Sequence, residues 1–317
     1  MSTAEPTFSV IIPAYNCARF VGSAIDSTLA QSFQDFEIVV CENGSTDNTW
    51  AVLQRYKPYI RTVQLEQNRN DAGGRNAAIA IARGRFLAFL DADDLWASDK
   101  LERYYRMISK YDSKFIFSNR TTIDIYGRTG APGVSPRRGN QQIIQPKDPL
   151  LLMVNFITTS CVVVDAESMK KHPFNEDVYP WGDYLAWLEL NQEMPFFYIP
   201  RVLSYLRTHQ ANIARTYRDI DRSHRFLDLC AQKNMYPSDL IDFTRSLRVL
   251  EVQAYQGKRS GFIFGLLKIL TTGPKRRLLA VWIFYHLRFL KAGTLRKWIT
   301  WPVTGRTRNY FGNPKPD

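Results

Sequence analysis

Three carboxylates in four residues, Asp91, Asp93 and Asp94, follow directly on the apolar run Phe86 to Leu90. Like charges packed this closely repel unless something positive neutralises them, and a divalent cation with oxygen ligands is the usual answer. Side chains two apart on an extended chain point the same way, so Asp91 and Asp93 can converge on one ligand. A plain capped turn is the competing reading, with Asp93 or Asp94 heading a helix that starts near Ser98. The run in front decides between them. Five apolar residues behind Gly84 read as a strand buried on both faces, and open α/β sheets bind ligands at the carboxyl ends of such strands.

Other polar clusters fall in the same kind of place. Phe8 to Ile12 is a β-rich run ended by Pro13, Ala14, Tyr15 and Asn16. Apolar residues from Phe20 to Leu29 follow at helical spacing. Phe36 to Cys41 reads as a second strand, ending in Glu42, Asn43, Gly44 and Ser45, with Ser45 or Asp47 as cap for a helix through Tyr56. Ile60 to Leu65 makes a third strand, and Asp71 to Asn76 opens an alanine-rich helix through Ala82. This alternation predicts a doubly wound, mostly parallel sheet with right-handed crossovers. It gathers Asn16, Glu42 to Asp47, Arg75 and Asp91 to Asp94 along one sheet edge.

Farther on, Phe115 to Phe117 and Thr121 to Tyr126 suggest two strands. Gly127 to Lys147 reads as a mobile surface loop. Thr158 to Val164 suggests a strand returning to the sheet. Pro180-Trp181-Gly182-Asp183 leads into a helix with Leu185, Trp187 and Leu188 inward. Phe196 to Leu206 is extended, ending in Arg207 and His209, and the chain reads as helical from Arg218.

Ser-Val-Ile-Ile-Pro-Ala-Tyr-Asn at 9–16, Glu-Asn-Gly-Ser-Thr-Asp at 42–47, Gly-Gly-Arg-Asn at 73–76 and Asp-Ala-Asp-Asp at 91–94 occur in order. Over residues 7–210 the chain resembles family 2 glycosyltransferases of the GT-A fold. The resemblance implies a nucleotide-sugar donor, a UDP-sugar first, with Mn2+ or Mg2+ and inverting transfer to an acceptor hydroxyl. It places Pro13, Ala14, Tyr15, Asn16, Glu42, Asn43, Arg75, Asp91, Ala92 and Arg207 around the donor. Asp93 and His209 fall at metal positions, Asp183 at the general base, and Trp181 at the acceptor pocket. Two departures stand out: Glu42 where the family usually has Asp, and Gly182 where an acid usually precedes the base.

Composition sets the frame. The 317 residues carry a net charge of +12, with 45% apolar and 23% charged residues, as expected of a globular protein. Cys17, Cys41, Cys161 and Cys230 form no Cys-X-X-Cys pair and read as reduced thiols of a cytosolic protein. The opening residues carry neither a basic nor an apolar leader pattern, so no secretory signal is expected.

After Glu251 the only acid is Asp317, while thirteen Lys and Arg lie between Lys258 and Lys315. Removing these from totals of 42 and 30 leaves 29 basic and 29 acidic groups in residues 1–251. The whole excess belongs to a tail where Trp282, Phe284, Tyr285, Trp298 and Trp301 alternate with basic residues. Its apolar runs fall short of the ~20 residues that span a bilayer, and the pattern suits an interfacial helix on an anionic membrane.

These readings give a GT-A catalytic domain over 7–215 and a basic helical region over 216–317. They expect a cytoplasmic enzyme at the inner membrane face, building a surface glycan on a glycan or lipid-linked acceptor. Alternatives are a nucleotidyltransferase forming the nucleotide sugar, and a non-catalytic membrane-associated scaffold. Pro13 to Cys17 lacks the Gly-rich basic loop a triphosphate needs, and Asp91, Asp93 and Asp183 speak against a scaffold. No Gly-X-Gly-X-X-Gly follows the first strand, and no nucleic-acid motif accompanies the charge.

Overall fold

The computed structural model describes residues 5–132, 143–209 and 220–255. Strands β1 (Phe8–Ala14), β2 (Phe36–Asn43), β3 (Arg61–Leu65) and β4 (Phe86–Phe89) alternate with helices α1 (Val21–Leu29), α2 (Thr49–Arg55) and α3 (Asn70–Ile81). The four strands lie parallel in the order β3-β2-β1-β4. The runs of β1, β2 and β4 are buried on both faces, as helix-covered parallel strands must be, while the edge strand β3 is partly exposed. Gly84 lets β4 close on β1. A Cβ there would lie 2.4 Å from the Ser9 nitrogen, and the Gly84 N–H donates to Ser9 Oγ at 2.8 Å.

Beyond β4 the sheet turns mixed. A 3-10 turn at Thr159–Cys161 precedes β9 (Val162–Asp165), which inserts antiparallel between β4 and β6 (Phe115–Ile123). The two strands expected at 115–117 and 121–126 are one, because β10 (Phe196–Arg207) pairs with β6 continuously from Ile116 to Ile123, while β9 pairs only with Phe115 to Phe117 on its other side. The short β5 (Leu95–Trp96) closes the far edge against β10. The expected loop at 127–147 contains two short strands: β7 (Thr129–Pro132) pairs β6, and β8 (Ile143–Ile144) pairs β10.

Four helices complete the described body: α4 (Lys100–Tyr111), α5 (Pro149–Met153), α6 (Ala166–Lys171) and α7 (Gly182–Glu193). On α7, Leu185, Trp187 and Leu188 are buried as expected. Helices α8 (Ile220–Gln232) and α9 (Ser238–Tyr255) pair with each other and belong to the same compact unit as the sheet. Phe226 of α8 stacks on Tyr184 of α7 with ring centroids 4.9 Å apart, and Lys233 reaches Glu189 at 2.9 Å. Among the described residues no helix is long and apolar enough to cross a membrane. The basic and aromatic tail from Lys258 lies outside the described residues.

This topology delivers chemistry to one place. The carboxyl ends of β1, β2 and β4, the first turn of α3 and the first turn of α7 share one sheet edge.

Candidate active site

The turn after β4 is built from its acids. Its backbone closes with Asp94 N–H on the Asp91 carbonyl at 3.0 Å. Asp91 and Asp93 therefore come together through a turn, not through the strand alternation expected from their spacing. Asp94 is 4% exposed and structural: its Oδ2 accepts from Ser160 Oγ at 2.6 Å and its Oδ1 from the Arg207 N–H at 2.9 Å. Burial, then Asp93 and Asp91, push its carboxyl well above the ordinary carboxylate range. Asp93 is raised too, by burial and by Asp91.

The Arg207-X-His209 segment folds onto this turn. Arg207 Nε donates to the Asp93 carbonyl at 2.8 Å, and His209 Nε2 lies 2.8 Å from Asp93 Oδ2. Phe20 supports both: the His209 ring stacks on it at 5.2 Å, and the Arg207 guanidinium lies 4.9 Å from its centroid. A histidine at the end of β10 is thus brought to an acid over a hundred residues earlier.

Arg75 sits behind the acids and not in front of them. It is 6% exposed, and its Nη2 donates to Asp91 Oδ1 at 2.6 Å. The expected contact with nucleotide or phosphate therefore meets a guanidinium already held by a carboxylate. Burial works against this cation, yet Asp91, Asp71 and Asp183 together hold its pKa above the ordinary arginine value. Asp71, one helical turn before Arg75, was not singled out from the sequence. The i, i+4 relation to Arg75 on α3 is the signal that points to it. Burial raises the Asp71 carboxyl as well.

Asp183 comes to the same arginine from the first turn of α7. Thr159 Oγ1 donates to its Oδ2 and the Tyr184 N–H to its Oδ1, each at 2.6 Å. Burial raises its carboxyl, with Arg75 opposing. Gly182 is explained by packing. A Cβ there would lie 2.8 Å from the Asn175 carbonyl oxygen and 3.2 Å from Ala72 Cβ, so α3 and α7 meet closely only over glycine.

The remaining candidates divide. Tyr15 is exposed at the edge, beside partly exposed Pro13 and buried Ala14. Asn16, at φ 47°, ties two loops together, its Oδ1 accepting from the Thr46 and Asp47 N–H groups. Glu42 is 2% exposed and closes its own loop, accepting from Ser45 N–H at 2.7 Å and Gln64 Nε2 at 3.3 Å. Asn43 is buried, with Nδ2 donating to the Asn70 carbonyl and Oδ1 accepting from Arg69 N–H. Ala92 is buried inside the turn. Trp181, expected at an acceptor pocket, is 6% exposed with its ring edge-on to Phe226. Burying that indole against α8 is what its size favours.

Among the described residues no three metal-type side chains converge. Asp93 and His209, with partly exposed Asp91 beside them, still fit a divalent cation. Cations that act on phosphates take one or two carboxylates from protein and the rest from phosphate oxygens and water.

A sequence model of the family described as Glycosyl transferase family 2 matches residues 9–169. The chain is 32% identical over 186 residues to UDP-Glc:alpha-D-GlcNAc-diphosphoundecaprenol beta-1,3-glucosyltransferase WfgD of Escherichia coli, covering 57% of this chain and 68% of that protein. In fold it is similar to S. aureus TarS 1-349 in complex with UDP-GlcNAc, with TM-score 0.63, 18% identity, and 89% and 86% of the two chains covered. It is likewise similar to the mannosyltransferase PcManGT of Pyrobaculum calidifontis in complex with GDP-Man and Mn2+, with TM-score 0.56, 18% identity, and 93% and 84% covered.

Replacing Arg75 tests the electrostatic balance. Arg75→Met should lower stability by about 2–4 kcal/mol, below a fully buried pair because Asp91 is partly solvated. Without the guanidinium the raised carboxyls of Asp71 and Asp183 rise further above their unfolded values, so stability falls as pH climbs through them. Urea unfolding should show a larger deficit at about pH 7.5 than at about pH 5. An equal deficit at both would contradict the shared-cation picture.

Proposed function

Since the chain belongs to glycosyl transferase family 2, we propose that it moves a sugar from a nucleoside-diphosphate donor to an acceptor hydroxyl with inversion. One observation carries this reading: Asp91, which stands beside the Asp93 and His209 pair, and Asp183, from the first turn of α7, act on the same buried arginine. A single displacement needs both kinds of group at one site, acids to hold the leaving diphosphate and a carboxylate to serve as base.

On the acceptor side, Asp183 takes the hydroxyl proton as the acceptor oxygen bonds to the anomeric carbon. The bond from that carbon to the diphosphate oxygen breaks, and the nucleoside diphosphate leaves. A carboxyl raised by burial is better matched to this task near neutral pH than a solvated one. On the donor side, Asp93 and His209 would hold a divalent cation, Mn2+ or Mg2+. Such an ion neutralises the charge that develops on the leaving diphosphate. Asp91 stays oriented by Arg75, and exposed Tyr15 offers a ring face at the edge where a nucleobase would lie.

For substrates, a UDP-sugar is the first donor to test, because WfgD is named for UDP-Glc and TarS is described with UDP-GlcNAc. A lipid-linked glycan acceptor follows the naming of WfgD, and surface polysaccharide assembly is the setting proposed. We assign the basic, aromatic segment after Lys258 to contact with an anionic membrane, which would bring such an acceptor within reach.

Calorimetry of UDP with Mn2+ should show that Asp93→Ala weakens binding by at least about 100-fold. Asp183→Asn should bind UDP normally while transfer drops by about 10²–10⁴-fold. Unchanged UDP binding in the first variant would remove the metal site, and retained turnover in the second would move the base elsewhere. Deleting residues 258–317 should release the protein from phosphatidylserine-containing vesicles. Equal sedimentation of both forms would end the membrane assignment.

A further inference from the structure

Asp183 and the Asp91–Asp94 turn come from distant parts of the chain, yet they share one neighbour, the 3-10 turn Thr159–Cys161. Consecutive side chains of that turn serve the two sides. Thr159 Oγ1 donates to Asp183 Oδ2 at 2.6 Å. Ser160 Oγ donates to Asp94 Oδ2 at 2.6 Å and accepts the Asp91 N–H at 3.0 Å.

The turn is fixed from beneath. Three donors converge on the Ser160 carbonyl oxygen: Lys100 Nζ at 2.8 Å, Trp96 Nε1 at 2.9 Å and Ser204 Oγ at 2.8 Å. Three donors pin an oxygen with two lone pairs from three directions. Lys100 is 0% exposed, donates also to Ser204 Oγ at 2.8 Å, and lies 4.6 Å and 5.0 Å from the Trp96 and Tyr104 rings. Among the described residues no salt bridge includes it. Burial pushes the pKa of the Lys100 ammonium down to about 7 against the pull of Asp94, and an apolar side chain of the same length would pack there without that cost. Stability alone therefore gives no reason for a lysine at this position. Ser204 adds a third link, because three residues later the same strand delivers Arg207 to Asp94.

We propose that Thr159 and Ser160 are positioning residues that set the spacing between the acceptor-side base and the donor-side acids, with Lys100 as the anchor of their turn. The inference rests on the reading of Asp183 as base. The Thr159 hydroxyl on Oδ2 and the Tyr184 N–H on Oδ1 fix the rotamer, and each oxygen keeps a further lone pair with which to take the acceptor proton. Misplacing a reacting group by about 1 Å costs roughly 10²-fold in rate. The charged groups facing Asp183 are Arg75 and Asp71 from α3 and Asp91 from the turn after β4.

The test uses the full chain with UDP-glucose as donor probe, reading Mn2+-dependent UDP release, its pH profile, and UDP binding by calorimetry. Thr159→Val should lower kcat by roughly 10²-fold while UDP binding is unchanged. It should also shift the acidic limb of the profile to higher pH, because the lost hydrogen bond favoured the charged carboxylate. Thr159→Ser should restore both the rate and the limb. Ser160→Ala should weaken UDP binding by about tenfold, because it loosens the turn that carries Asp91 and Asp93 at both Asp94 and the Asp91 N–H. Lys100→Met should show the rate defect and the binding defect together. Wild-type kcat and pH limb in Thr159→Val, with Asp183→Asn inactive, would overturn the inference and leave the base in place. A Thr159→Ser as impaired as the valine variant would overturn it as well, by reducing the position to packing. An active Asp183→Asn would remove the base and the positioning turn with it.

Discussion

Carboxylates outnumber cations at the carboxyl edge of this sheet, and that imbalance is what the surrounding structure is arranged to hold. Asp71, Asp91 and Asp183 all act on the buried guanidinium of Arg75. Asp93 and Asp94 lie beyond it, raised by burial and by their neighbours. A fold selected only for stability would not gather these groups, because each buried carboxylate beyond the first partner costs free energy. Their collection in one place marks a functional site, and it suits the cation and diphosphate proposed for it.

The scaffold holds this arrangement by dividing labour among the acids. Asp94 is enclosed and bonded to Ser160 and to the backbone of Arg207, so it locks the turn and leaves Asp93 at the surface of the site. Arg75 orients Asp91 from behind. The last residues of β10 cover the turn and bring His209 to Asp93, over the shared support of Phe20. The acceptor side depends on a close approach of α3 and α7 that only Gly182 allows. A change at either helix is therefore felt at Asp71 and Asp183 together.

Much of this was legible in the sequence. The parallel half of the sheet follows from alternating strand and helix patterns, and the polar residues at its carboxyl edge follow from that topology. Asp93 and His209 meet each other, and Asp183 comes to Arg75 from α7. What the sequence did not display was direction. Arg75 reads as a donor contact at a helix start, but its side chain is buried among Asp91, Asp71 and Asp183. Trp181 and Asn43 read as site residues and are buried by α8 and by the loop before α3. Ser160 and Lys100 carry no signal at all, and Asp94 none of its locking role, since their partners come from β10 and the turn before β9, which only the mixed half of the sheet brings near. The antiparallel insertion of β9 is itself invisible to periodicity, because a short apolar run pairs equally well in either direction.

The account stands on a cation bridging this acidic edge to a diphosphate. Anomalous diffraction at the manganese edge, from crystals grown with Mn2+ and UDP, tests it most directly. A peak within bonding distance of both Asp93 Oδ2 and His209 Nε2, with their mutual hydrogen bond opened, is the result predicted. Density for UDP at the edge with no peak there, and with Asp93 and His209 still bonded to each other, would contradict it.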